Sequence, residues 1–137
     1  MSDELVVRPI GRVESVLTDR QDAPRQADEG APDGWLVFDE GVRAALADLG
    51  VGDEILLITW FDRADRDVQA VRPRGDESRP LTGVFSTRSP DRPNPLGLHR
   101  VTITAVDGLR LQVDHLEAID GTPIVDVKPV LGDTAER

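Results

Sequence analysis

The chain has no cysteine among its 137 residues. That excludes disulfides, thiolate metal sites and a cysteine nucleophile, and it fits a cytoplasmic protein. Lysine is nearly absent too: Lys128 is the only one, so basic chemistry rests on arginine. No apolar run approaches the ~20 residues that cross a bilayer, so no membrane partner is expected. The acidic start Met1-Ser2-Asp3-Glu4 does not have the basic and apolar regions of a secretory signal. An excess of positive charge is also missing. The net charge of −10 argues against strong non-specific binding to nucleic acid, and no DNA partner is expected.

What is present suits one globular domain over 1–137, with 132–137 as a polar tail. Hydrophobic residues make up 39% and charged residues 31%, too apolar for a disordered chain. The arginines are uneven: Arg63, Arg66, Arg72, Arg74, Arg79, Arg88, Arg92 and Arg100 all fall in the central stretch. They fit a basic face or a solvated, charge-mixed surface equally well.

Periodicity and turn residues predict mostly strands. Leu5–Val16 reads as a strand, interrupted near Pro9 and Gly11. The polar segment Thr18–Asp33 reads as a long loop, of the kind that often carries function. Trp35–Phe38 is a short strand. Asp39 can cap a helix through Leu49, with Val42, Ala45, Leu46 and Leu49 on one face. The apolar run Ile55–Phe61 reads as a buried central strand, and 62–79 as an exposed loop. Leu81–Ser86 is a further strand. Asp107-Gly108 predicts a hairpin joining Val101–Val106 to Leu109–Val113. Asp120-Gly121 predicts another, joining Leu116–Ile119 to Pro123–Val127. The expected fold is mainly β: a small single-sheet β-barrel with one or two short helices.

Two segments can carry chemistry. In Arg88-Ser89-Pro90-Asp91-Arg92-Pro93-Asn94-Pro95, three prolines stiffen a loop that bears two arginines. Stiffness lowers the ordering cost of binding. The arginine fork suits a carboxylate or a phosphate, and Asn94 can read a base edge. A solvated surface loop is the plainer alternative. In Asp126-Val127-Lys128 the two charges alternate with valines and share one strand face. They make either an exposed ion pair or a carboxylate at the barrel mouth. His99 and His115 have no partners at metal-ligand spacing and read as structural or surface histidines, so no metal site is expected.

Together these segments resemble a known family. Pro24-Arg25-Gln26, the run ending Trp60-Phe61, Gly83 to Gly97 and Asp120 to Pro129 are similar, in order and spacing, to the TsaA-like (TrmO-like) proteins. That family includes tRNA methyltransferases acting on N6-threonylcarbamoyladenosine beside the anticodon. The resemblance implies a homodimer with S-adenosyl-L-methionine bound near the subunit interface, and the tRNA anticodon loop as partner. Carried over residue by residue, it implies cofactor contacts from Gln26, Asp62, Arg63, Arg88, Leu98, Asp120, Gly121, Thr122 and Pro123. Arg25, Arg92 and Asn94 become candidate substrate contacts. Asp126 becomes the candidate base, with Lys128 beside it. The chain departs from the family at Asp62, where a histidine is common, and at Val130, where a tyrosine is common. Two other functions fit the same residues: methyl transfer to a small-molecule acceptor, and a non-catalytic S-adenosyl-L-methionine-binding module.

Overall fold

The structure is a computed structural model and describes residues 3–19 and 30–132. In chain order the strands are β1 (Gly11–Glu14), β2 (Gly34–Phe38), β3 (Glu54–Trp60), β4 (Ala70–Val71), β5 (Thr82–Gly83), β6 (Leu96–Asp107), β7 (Arg110–Val113) and β8 (Pro123–Pro129). Six of them form a closed barrel in the order β1-β2-β7-β6-β3-β8, with β8 returning to β1. All the pairings are antiparallel.

Strict alternation decides which side chains face inward. Val13, Leu36, Phe38, Ile55, Leu57, Val101, Ile103, Leu111, Val113 and Ile124 fill the interior. On β3 the intervening residues Leu56, Ile58 and Trp60 face outward and are only half-buried. Their neighbours on that outer face are Arg100, Leu98 and Leu96 of β6. Across β8, Ile58 stands opposite Asp126 and Leu56 opposite Lys128.

The expected single-sheet barrel with one or two short helices needs correction. A second sheet, the β4–β5 ribbon, lies outside the closed one. It occupies parts of the segment expected as loop and of the strand expected at Leu81–Ser86. The helical segments described are all 3-10: Glu40–Leu46, Pro73–Gly75 and Val84–Ser86. In the first of these the Asp39 side chain makes no cap hydrogen bond. A bidentate pair from Arg43 to Glu40, at 2.9 and 2.8 Å, suits the eclipsed i, i+3 spacing of a 3-10 turn. Val42, Leu46 and Leu49 pack only partly against the core, too little apolar cover to impose a full α-helix.

The first hairpin forms, with its turn at Gly108, where φ is 59°. The second does not. After β7 the chain turns at His115, whose φ of 44° is in the left-handed region. Leu116 and Ala118 then enter the core, and β8 pairs with β1 and β3 instead. The long N-terminal strand shrinks to Gly11–Glu14.

Candidate functional site

One end of the closed sheet is polar inside. Thr59, His99 and Thr122 are buried there, at 0%, 2% and 2% exposure. This end opens into a cleft of about 2370 Å³. One wall is Leu96–Arg100 of β6 with Phe61, Asp62 and Arg63. A second is the proline-rich loop from Phe85 to Arg92, and the floor includes Glu117, Ile119 and Thr122. Gly97 lets the walls meet. A Cβ there would strike the Thr59 hydroxyl and come within 2.7 Å of the Phe61 ring.

The proline-rich loop is braced from below. Arg92 Nη1 donates to the carbonyls of Thr87 and Ser89, both at 3.0 Å. Arg66 donates to Pro93 O at 2.7 Å and Asn94 Oδ1 at 2.9 Å, and lies 5.2 Å from the Trp60 ring centre. Asp91 Oδ1 accepts from the Asp65 amide at 2.9 Å. Arg88 differs: it is exposed in the cleft, and no hydrogen bond or ion pair engages it among the described residues.

The turn at 120–123 is tied to the N-terminal segment. Asp120 Oδ1 accepts from the Ser15 amide at 3.1 Å, and the Gly121 amide donates to Val13 O at 2.7 Å. Thr122 Oγ1 donates to Ile119 O at 2.6 Å. Arg63 Nη1 reaches Thr18 O at 3.3 Å. Between β4 and β5, the Ser78 hydroxyl and amide hold the Asp76 carboxyl below its usual range.

Of the residues expected from sequence, Asp62, Arg63, Arg88, Arg92, Leu98 and Thr122 line this cleft. Asp120, Gly121 and Pro123 stand behind Thr122 in the same turn, outside the lining. Asn94 is engaged by Arg66 and also lies outside it. Asp126 and Lys128 sit on the outer face of β8 and pair with each other at 3.3 Å, both about half exposed. Arg25 and Gln26 lie outside the described residues. Arg63, Arg72, Arg79, Arg88, Arg92 and Arg100 do gather at the cleft, opposed by Asp19, Asp62, Glu77, Asp91 and Glu117. The result is a mixed-charge cleft with a modest basic bias.

Sequence reasoning missed the cleft floor. His99 Nδ1 lies 2.6 Å from Glu117 Oε1 and its Nε2 lies 2.8 Å from Thr59 Oγ1. Phe61 meets the imidazole edge-on, with centroids 5.8 Å apart. Phe85, 84% exposed at the cleft edge, was also not singled out. Among the described residues, no group of three or more histidines and carboxylates could hold a metal ion, and no helix is long and apolar enough to cross a membrane.

A closed antiparallel sheet with a stiff arginine-bearing loop over its polar end defines a class of small ligand-binding β-domains. The comparisons narrow that class. The family model of the tRNA-methyltransferase O N-terminal domain matches residues 12–134, and the chain belongs to that family. A protein of Archaeoglobus fulgidus named "S-adenosyl-L-methionine-binding protein" is 40% identical over 125 residues, covering 90% of this chain and 88% of its own. A "Probable S-adenosyl-L-methionine-binding protein" of Methanothermobacter thermautotrophicus is 39% identical, covering 97% and 96%. A crystal structure of TrmO from Pseudomonas aeruginosa superposes with a TM-score of 0.76 at 27% identity. The match covers 98% of this chain and 59% of that one, so the chain spans well under two thirds of the solved TrmO protein.

Proposed function

We propose that this chain is an S-adenosyl-L-methionine-dependent methyltransferase whose acceptor is N6 of threonylcarbamoyladenosine in the tRNA anticodon loop. The observation that carries the reading is Arg88, a guanidinium without a partner among the described residues, held by a braced loop in the same cleft as Thr122 and the exposed Leu98. The donor set fits the cofactor. Arg88 suits its carboxylate, Leu98 offers an apolar surface to its adenine, and Thr122 of the 120–123 turn lines the same cleft. The bound cofactor supplies an electrophilic methyl group. The protein's part is to hold the acceptor nitrogen in line with that methyl, which supplies much of the rate. Arg63, Arg72 and Arg79 give the cleft rim its cationic side for a phosphate backbone. An anticodon-loop base is unpaired and enters without melting a duplex.

The outer face of β3 and β6 supports a homodimer. Leu56, Ile58, Trp60, Leu96 and Leu98 make one apolar surface, and Leu98 belongs to this surface and to the cleft. A second copy seated there brings the cofactor near the interface. Asp126 and Lys128 flank the same face, so any part they take in the chemistry runs through the second copy.

The net charge of −10 favours one rival, a small-molecule acceptor on the same scaffold. Calorimetric titration with S-adenosyl-L-methionine, followed by methyl transfer to total tRNA, tests the reading. Saturable binding with tRNA methylation supports it. Binding without tRNA methylation moves the acceptor to a small molecule or leaves a binding module. No binding removes the proposal.

A further inference from the structure

The interior of the closed sheet is apolar except at the cleft end, where His99 is 2% exposed and held at both ring nitrogens. With Glu117 ionised, the His99 Nδ1–H donates to Glu117 Oε1 at 2.6 Å, and Nε2 accepts from the Thr59 hydroxyl at 2.8 Å. The other carboxylate oxygen, Oε2, is buried and has no hydrogen-bond partner among the described residues. A buried ionisable pair seldom adds stability over apolar residues of the same volume. A buried acceptor left open calls for a donor. The Glu117 side chain is 16% exposed and lines the cleft, so a turn of the carboxylate that brings Oε2 to the cleft lets a ligand supply that donor. The competing carboxylates are placed differently. Asp19, Asp62 and Glu77 are exposed, Asp91 is tied to the Asp65 amide, and Asp126 is paired with Lys128 outside its own cleft.

We propose that Glu117, oriented by His99, is the catalytic proton acceptor for the nitrogen that receives the methyl group, an inference that rests on the methyltransferase reading above. The acceptor N–H bond breaks toward Glu117 Oε2. The nitrogen lone pair forms the N–C bond. The C–S bond breaks with its electron pair going to sulfur, which becomes a neutral thioether. Glu117 then releases its proton to solvent at the cleft. His99 is a positioning residue: its Nδ1–H holds Oε1, so the oxygen that turns toward the acceptor is Oε2.

The test compares the parent with Glu117→Gln, Glu117→Asp, His99→Gln and Asp126→Asn, measuring cofactor affinity and single-turnover methyl transfer to tRNA. Removing a general base costs about 100-fold or more in rate. Glu117→Gln is expected to show that loss with cofactor affinity within about threefold of the parent. Glu117→Asp, which keeps the carboxylate, recovers part of the rate. His99→Gln falls between them. Asp126→Asn loses less than Glu117→Gln. A Glu117→Gln rate within about threefold of the parent overturns the proposal, as does a loss of affinity equal to the loss of rate. A parent that binds the cofactor but does not methylate tRNA removes the tRNA-acceptor reading, and this inference with it. One readout is independent of turnover. In the cofactor-free parent, ring-nitrogen NMR is expected to place the His99 proton on Nδ1 and to shift in Glu117→Gln. A bare Nδ1 in the parent would mean that Glu117 is not the free acceptor required.

Discussion

Arg88 and Arg92 stand four positions apart and do different work. Arg92 closes its own loop through two carbonyls, whereas Arg88 reaches into the cleft without a partner among the described residues. Arg88→Ala is therefore expected to lower cofactor affinity about 10- to 100-fold, the worth of one charge-assisted contact, with the melting temperature unchanged. Arg92→Ala is expected to lower the melting temperature and to affect binding only through the loosened loop. Calorimetry and thermal melts on both variants separate the two roles; an unchanged affinity in Arg88→Ala removes it from the site. Gly97 makes a different demand, because its missing side chain leaves room for Phe61 and Thr59. Gly97→Ala is expected to cost about 1–3 kcal/mol, as overpacking does, visible as a lower urea midpoint at unchanged slope.

At the scale of the element, the braces decide whether the proline-rich loop is ready for a ligand. Arg66 joins the loop after β3 to the loop before β6 and covers Trp60. Its bonds are exposed, so Arg66→Ala should cost only about 1 kcal/mol while weakening cofactor binding through lost preorganisation. Equal affinity in parent and variant would show that the prolines alone hold the loop. The Asp76 turn carries a pH signature. Its lowered carboxyl value means that the turn's contribution is present above the ordinary aspartate value and lost as pH falls through the folded one. The protection factor of the Ser78 amide should fall over that acid range and hold near neutrality. Much of this level was legible beforehand. β2, β3 and the β6–β7 hairpin follow from apolar runs and a Gly turn, because alternation and turn chemistry are local. The fate of Leu116–Ile119 was not legible. An Asp-Gly pair marks a turn but does not say which strand its arms will join. The His99–Glu117 contact was hidden for the same reason: the two residues lie 18 apart in different elements, and only the closed sheet brings them together.

At the scale of the whole molecule, a monomer leaves an apolar surface in water. Leu96 and Leu98 are 47% and 46% exposed, beside the half-buried Leu56, Ile58 and Trp60. A stable dimer buries about 800 Å² per partner, and an apolar strand face of this kind supplies the core of such an interface. The parent is therefore expected to sediment at twice the 15.0 kDa mass of the chain. Ile58→Glu places a second carboxylate opposite Asp126 at the centre of that face without entering the cleft lining. It should yield a folded monomer, with the circular dichroism spectrum of the parent. If the cofactor cleft needs the second copy, this monomer loses affinity for S-adenosyl-L-methionine even though Arg88, Leu98 and Thr122 are intact. If the monomer binds as tightly as the parent, the cleft is complete within one chain, and a role for Asp126 through the partner's cleft falls away. A parent that sediments as a monomer at micromolar concentration would instead leave the apolar face to some other partner and remove the dimer from the proposal.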